Sequence, residues 1–364
     1  MGQNLRVGFL SHHNAFDKQA FSGTVYHAAR ALGARPGIDL QILGPHRPIR
    51  LWHRVTRKLL EAPQLDASKL DVTGLDAVVG MVATGHLRAL LPQGVPLLHV
   101  TDSTAAFQRD FYNVGLSAED ENGEAFIVQQ AARTVYSSHY MADLAVTEYD
   151  LGNADRLAVV PFGVNFDDLP QARPEKPPMT PIRLLYVGVS WERKGGDIAV
   201  AALEQLRAQG IPVELTLVGP TPDDLSAREG LHLAGFLDKT RTSDLTKLKQ
   251  LFSDAHLFVL PTRADCTPMV VAEANAYGTP VLITETGGIA TLMAGGANGR
   301  MMPYEATAQD WARVIREMTT VSTQFEELSK TSFAHARERL TWAAWAEDME
   351  KVLVDVCQQA LRVA

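Results

Sequence analysis

A chain of 364 residues is longer than one typical core and comfortable for two domains. Hydrophobic residues make up 46% and charged residues 21%, an ordinary globular balance, and no apolar run approaches the ~18 residues of a membrane-spanning helix. The formal net charge of −8 argues against nucleic acid as the main partner, although a local basic pair can still hold an anionic ligand.

In chain order, short apolar runs alternate with helical patterns. The first half carries "LRVGFLS" (5–11), "DLQILG" (39–44), "DAVVGMV" (76–82), "PLLHVT" (96–101), "TVYSS" (134–138) and "LAVVPFG" (157–163). Continuous β-branched runs predict strands buried on both faces, hence a mostly parallel sheet, and strand–helix alternation predicts a doubly wound α/β domain. The chain enters its first strand with no signal-peptide pattern, and Cys266 and Cys357 are its only cysteines. Both features point to a cytoplasmic protein with reduced thiols.

The stretch "DDLPQARPEKPPMTP" (167–181) is proline-rich and lacks an apolar period. The pattern restarts at "IRLLYVG" (182–188) and continues with "VELTLVG" (213–219), "LHLAGF" (231–236), "HLFVLP" (256–261) and "PVLIT" (280–284). The expected division is a first Rossmann-like domain over 1–168, a linker over 169–181 and a second over 182–340, with a terminal helix over 341–364 joining the first. Two such domains are expected to leave a cleft, and ligands of such sheets bind beyond the carboxyl ends of strands.

Two loops after strands stand out. In "VGVSWERKGGD" (187–197), Arg193 and Lys194 precede Gly195-Gly196 at a helix start. Glycines permit close backbone approach, and the helix N-terminus adds partial positive charge, so the loop suits a diphosphate. A solvated basic turn is the plainer reading, and the spacing is not that of a P-loop. In "PTRADCTPMVVAEANAYGTPV" (261–281), Thr267 is expected as N-cap and Pro268 as first residue of a helix running to Tyr277. An anion at that helix start would meet Thr267, Pro268 and Met269 and put a ribose within reach of Glu273, with Asp265 facing the other end of the phosphates. Taken alone, a capping acid and an exposed glutamate are the simpler account of the two acids.

In this order, these segments resemble retaining glycosyltransferases of the GT-B fold, family four. "RADCTPMVVAEANAYGTPV" is similar to the family's paired-acid signature, with Asp265 and Glu273 at its spacing. "VGVSWERKGGD" is similar to its phosphate loop, which adds Gly188 and Gly195 to the donor site. "HLAGFL" resembles the strand and turn whose backbone meets the nucleobase, at Phe236 and Leu237. "TETGGIATLMAGGANG" follows a further donor loop through Gly287 and Gly288, and "VVPFGVN" and "RLTWAAWAEDMEKVL" resemble the end of domain one and the last helix. The departures are Asp265 in place of a glutamate, Val189 where an arginine is usual, and Thr291 where a glutamate usually follows the double glycine.

In domain one the family's histidine after the fourth strand is replaced within "LLHVTDSTAAF", where Thr101 or Asp102 is its match. Asp102 is the residue expected to contact the donor sugar there, or else an acid at a helix start, and His99 is expected inside the strand. In the first loop, Ser22-Gly23-Thr24 resembles the family's cleft-facing turn, with Ser22 or Thr24 capping the following helix. His12 and His13 are expected either to meet an acceptor hydroxyl or phosphate or to be solvated. Adjacent histidines point apart, so no metal is expected.

The resemblance implies transfer of a sugar from a nucleoside-diphosphate sugar, with UDP and GDP both open, to a saccharide, lipid-linked glycan or other acceptor with retention of configuration. Lys194, Arg193, Asp265 and Asp102 are its expected catalytic residues, and the nucleotide sugar is a co-substrate, so no cofactor is expected. A sugar-nucleotide epimerase or phosphorylase on the same fold, or a non-catalytic nucleotide-sugar-binding protein, stays open. "RPIRLWHRVTRKLL" (47–60) is basic with aromatic insertions, and reads either as a plain surface helix or as a peripheral contact with the inner face of a membrane.

Overall fold

The computed structural model describes residues 4–18, 20–44 and 65–363. The basic segment 47–60 lies outside them. The chain divides into two compact units, Met1–Asn165 with Trp342–Ala364, and Phe166–Thr341.

The first unit is built on six parallel strands, β1 (Leu5–Ser11), β2 (Ile38–Gly44), β3 (Ala77–Met81), β4 (Leu97–Thr101), β5 (Arg133–Tyr136) and β6 (Leu157–Val159). Their order is β2-β1-β3-β4-β5-β6, so the direction of winding reverses between β1 and β3. Every residue of β3 is buried, as expected of a central strand covered on both faces. Val7, Phe9, Val79, Leu98 and Val100 fill the core. Each such side chain contributes roughly 1.5–3 kcal/mol when fully buried.

The last helix, Trp342–Val363, packs against α1 (Thr24–Gly33). Arg35 bonds Glu350 at 2.7 Å and Arg133 bonds Asp355 at 2.5 Å. Asn165 is buried beneath this helix. Its amide donates to Ser22 O at 3.0 Å and Thr24 Oγ1 at 3.1 Å, while its Oδ1 accepts from Trp342 Nε1 at 2.9 Å.

The second unit has β7 (Ile182–Val187), β8 (Val213–Val218), β9 (Leu231–Gly235), β10 (Leu257–Leu260), β11 (Val281–Thr284) and β12 (Gly299–Met302), all parallel. The order β12-β11-β10-β7-β8-β9 reverses between β7 and β10. β12 was not expected from the sequence.

The proline-rich segment read as a linker has no helix or strand over 169–181 and belongs to this second unit. It is tied down by side chains. Arg173 pairs with Glu326 and bonds Ser329 Oγ at 3.0 Å. Lys176 Nζ donates to Phe252 O, Ser253 O and Thr279 Oγ1 at 2.7–3.1 Å.

Candidate active site

In the second unit, the loops that follow β7 and β10 meet where the winding reverses, the place where open α/β sheets bind ligands. After β7 the chain makes one helical turn, Trp191–Lys194, then a left-handed residue, Gly195 at φ 71, and then the helix Gly196–Ala208. A Cβ on Gly195 would collide with the carbonyl of Pro261, so only glycine lets this turn press against the end of β10. Gly188 and Gly219 touch in the same way at the ends of β7 and β8, where a Cβ on Gly219 would strike Gly188 O. The strand ends there present backbone rather than side chains.

That packing brings the cations to the acids. Lys194 is buried, and its Nζ donates to Asp265 Oδ2 in a largely buried ion pair. Arg193 is half-buried and donates from Nη1 to Ala264 O at 2.8 Å, while its own carbonyl accepts from Arg263 N at 2.7 Å. The structure therefore brings together Arg193, Lys194 and Asp265, three of the four residues expected to be catalytic. Arg263, which sequence reasoning passed over, forks onto Asp197 at 3.0 and 2.7 Å. That contact holds the Asp197 carboxyl below its usual range.

The helix after Asp265 differs from expectation at both ends. It runs Met269–Asn275, with Pro268 in extended conformation as its N-cap and no side-chain cap bond, so Thr267 does not cap it and Pro268 is not its first helical residue. The tight backbone between β10 and this helix accounts for the shift: Val271 N already bonds Pro268 O at 3.0 Å. The helix stops before Tyr277, and Gly278 leaves it at φ 65. Met269 is half-buried, and Thr267 and Pro268 are buried.

Glu273 is neither exposed nor a capping acid. It has no accessible surface, and its Oε1 pairs with Lys239 on the loop after β9. Its Oε2 is buried and has no hydrogen-bond partner among the described residues. Lys239 escaped sequence reasoning because the pair spans 34 residues and no local pattern marks it. Phe236, at 65% exposure, and the half-buried Leu237 stand just ahead of it. Val189, in place of the family's arginine, is 67% exposed. Gly287, at φ 52, and Gly288 open the turn after β11, and Gly288 N bonds Asp265 O at 3.1 Å. Gly288 is thus tied to the acid loop.

In the first unit, Asp102 sits half-buried just past β4, but the cap of the following helix is Thr104, whose Oγ1 accepts from Phe107 N at 3.3 Å. Asp102 therefore stands two residues ahead of the cap, at the helix start. His99 is buried inside β4 as expected; its Nε2 lies 3.3 Å from Thr84 Oγ1, and burial pushes its pKa down to about 4. The expected caps of α1 do not form: Gly23, at φ 88, takes the N-cap position without a side-chain bond, while Ser22 is itself left-handed at φ 56. Thr24 Oγ1 is turned to Asn165 instead.

His12 and His13 follow β1, with ring centroids 5.6 Å apart and nearly perpendicular. His86, which sequence reasoning did not select, lies 5.7 Å from His12, and burial together with His12 lowers its pKa. These rings gather at the reversal point of the first sheet, next to Val82 at φ 51.

Behind Asp102, Glu124 is buried and accepts from Tyr149 Oη at 2.9 Å, while that hydroxyl accepts from Ala105 N at 3.1 Å. Burial foremost, with Glu148 and Asp102 nearby, pushes Glu124 up to about 7.

Residues 181–320 match the model of the family described as glycosyl transferases group 1. The match lies within the second unit. A D-inositol 3-phosphate glycosyltransferase of Paenarthrobacter aurescens is 27% identical over 269 residues, which cover 68% of this chain and 64% of that protein. The Nocardia farcinica protein of that name is 30% identical over 275 residues, 70% and 60% of the two chains. The aligned part is thus less than two thirds of those relatives' length. Among solved structures, a sucrose-phosphate synthase from Thermosynechococcus elongatus superposes with a TM-score of 0.69 at 18% identity, over 99% of this chain and all of that one. Anabaena HepE in complex with UDP gives 0.65 at 15% identity, over 96% and 100%. The fold is of GT-B type, two α/β units each with a doubly wound parallel sheet.

Among the described residues no helix is long and apolar enough to cross a membrane.

Proposed function

We propose that the chain is a glycosyltransferase that moves a hexosyl group from a nucleoside-diphosphate sugar to an acceptor hydroxyl with retention of configuration. The observation that carries this reading is the meeting of Arg193, Lys194 and Asp265 at the reversal point of the second sheet. In the reaction the bond from the anomeric carbon to the diphosphate oxygen breaks and a bond to the acceptor oxygen forms. The acceptor's proton passes to the departing phosphate oxygen. Negative charge grows on the diphosphate, and Lys194 and Arg193 stabilise it; removing one such donor commonly costs about 2.7–4 kcal/mol. The diphosphate competes with Asp265 for the Lys194 ammonium. Asp265, so released, accepts from the donor sugar's hydroxyls, and Glu273 from the ribose. The two cations supply the charge compensation, so the reading calls for no cofactor.

Asp102, His12, His13, Ser22, Gly23 and Thr24 belong to the sugar and acceptor side of this reading. The acceptor is a saccharide, a lipid-linked glycan or another small molecule; the names of the relatives in Paenarthrobacter and Nocardia add a phosphorylated cyclitol to that class. The protein would then work in the cytoplasm, at the inner face of the membrane if the acceptor is a lipid.

A thermal-shift screen against UDP, GDP, ADP and their common sugars tests the reading. One nucleotide series should raise the melting temperature, and its sugar conjugate should release nucleoside diphosphate only when acceptor is added. An epimerase would change the sugar without acceptor. No shift with any nucleotide would overturn the proposal.

A further inference from the structure

Glu273 is a fully enclosed carboxylate with its two oxygens in different situations. Oε1 accepts from Lys239 Nζ, whereas Oε2 is buried and has no partner among the described residues. An unsatisfied buried acceptor is costly, and such an atom next to a ligand site is a place for a donor from the ligand. Lys239 links this enclosed acid to solvent: its side chain is 34% exposed. Its ammonium also lies 5.2 Å from the ring centroid of Phe166, which packs on Phe252 and Tyr277. Lys249 stands 5.7 Å from the same ring but bonds Asp168 at 2.6 Å.

We propose that Lys239 is a specificity-determining residue of the nucleotide site: it takes Oε1 of Glu273 and leaves Oε2 to accept from one ribose hydroxyl of a nucleoside diphosphate. The inference rests on the nucleotide reading of this unit. A ligand that displaced the ammonium altogether would leave a buried carboxylate with no countercharge, which is strongly unfavourable. A ligand that adds to the pair satisfies the remaining oxygen and keeps the charge compensated. The flexible stem of Lys239 and its partly exposed head let the ribose reach Oε2 without moving the helix. With Oε1 held by Lys239, the ribose contact is confined to Oε2, which favours the nearer of the two hydroxyls.

Calorimetric titration of the full chain with UDP, GDP and ADP, then with the 2′-deoxy and 3′-deoxy forms of whichever binds, tests this. In the wild type, one deoxy form should bind at least tenfold more weakly than the ribonucleotide and the other within about threefold. Lys239→Met should weaken the ribonucleotide at least tenfold and erase that difference, while Lys249→Met leaves both within twofold. If Lys239→Met does not fold, Lys239→Gln, which lacks the charge, is read by the same criteria. Unchanged affinity and unchanged discrimination in the Lys239 variant would overturn the inference, as would a wild type in which both deoxy forms bind equally. A wild type that binds no ribonucleotide would instead bring down the nucleotide reading itself, and this inference with it.

Discussion

Lys194 and Asp265 lie 71 residues apart in the chain and form a buried ion pair across the ends of two neighbouring strands. Each is the other's charge compensation in the free protein. Removing one partner of such a pair costs roughly 3–5 kcal/mol, because the survivor is left charged in a poor solvent. Lys194→Met should therefore lose about that much in urea unfolding, and adding Asp265→Asn should restore at least half of the loss. A double variant as unstable as the single one would show that the pair is not coupled. Both variants should lack turnover, since the diphosphate would lose its ammonium.

Gly195 makes the same site possible through its backbone. A left-handed residue with a Cβ costs about 1–2 kcal/mol from strain alone. At Gly195 the collision with Pro261 O comes on top. Gly195→Ala should cost clearly more than Gly210→Ala, because Gly210 is also left-handed, at φ 75, but has open space where a Cβ would go. Parallel denaturation curves of the two variants give the comparison; equal losses would remove the close-packing argument.

Glu124 sets a pH dependence in the first unit. Its folded pKa of about 7 lies above the ordinary 4.5. Between those values the folded chain holds a proton that the unfolded chain has released, so this residue makes stability fall as pH rises through that window. The size is up to about 3 kcal/mol, at 1.36 kcal/mol for each unit. His99, with its folded pKa lowered to about 4, acts in the opposite sense, its contribution being lost as pH falls below 6.5. Glu124→Gln removes the first effect only. Its stability measured from pH 4.5 to 7 should rise relative to wild type as pH increases; parallel curves would refute the assignment.

Asn165 joins the last helix to the first loop with three side-chain hydrogen bonds. Asn165→Ala leaves Trp342 Nε1 and Thr24 Oγ1 short of partners, at about 1–3 kcal/mol for each buried group left unsatisfied. Hydrogen exchange should quicken first in the helix Trp342–Val363. Exchange that quickened evenly through both units would argue against a local tie.

The strands were legible because β-branched runs buried on both faces leave a strong signal: nine of the eleven segments read as strands contain the observed ones, and those at 39–44 and 134–138 begin one residue late. β12, "GRMM", escaped because Gly299, Arg300 and two methionines carry no such run. Helix starts were misread for a common reason. Ser22, Thr24 and Thr267 are good capping residues by type, but left-handed Gly23 and extended Pro268 take those positions and set the entry angle by backbone geometry. Arg193, Lys194 and Asp265 were legible from their place after strands. Lys239 and Arg263 were not, because their partners Glu273 and Asp197 reach them only through the tertiary fold.

Since the first unit draws on both 1–165 and 342–364, the second is an insertion within its chain. As the polypeptide is synthesised, the stretch through residue 341 suffices for the inserted unit, while the unit begun earliest must wait for the closing helix to pack against α1. The half that emerges first from the ribosome is therefore the half completed last, and until then it carries an uncovered apolar face.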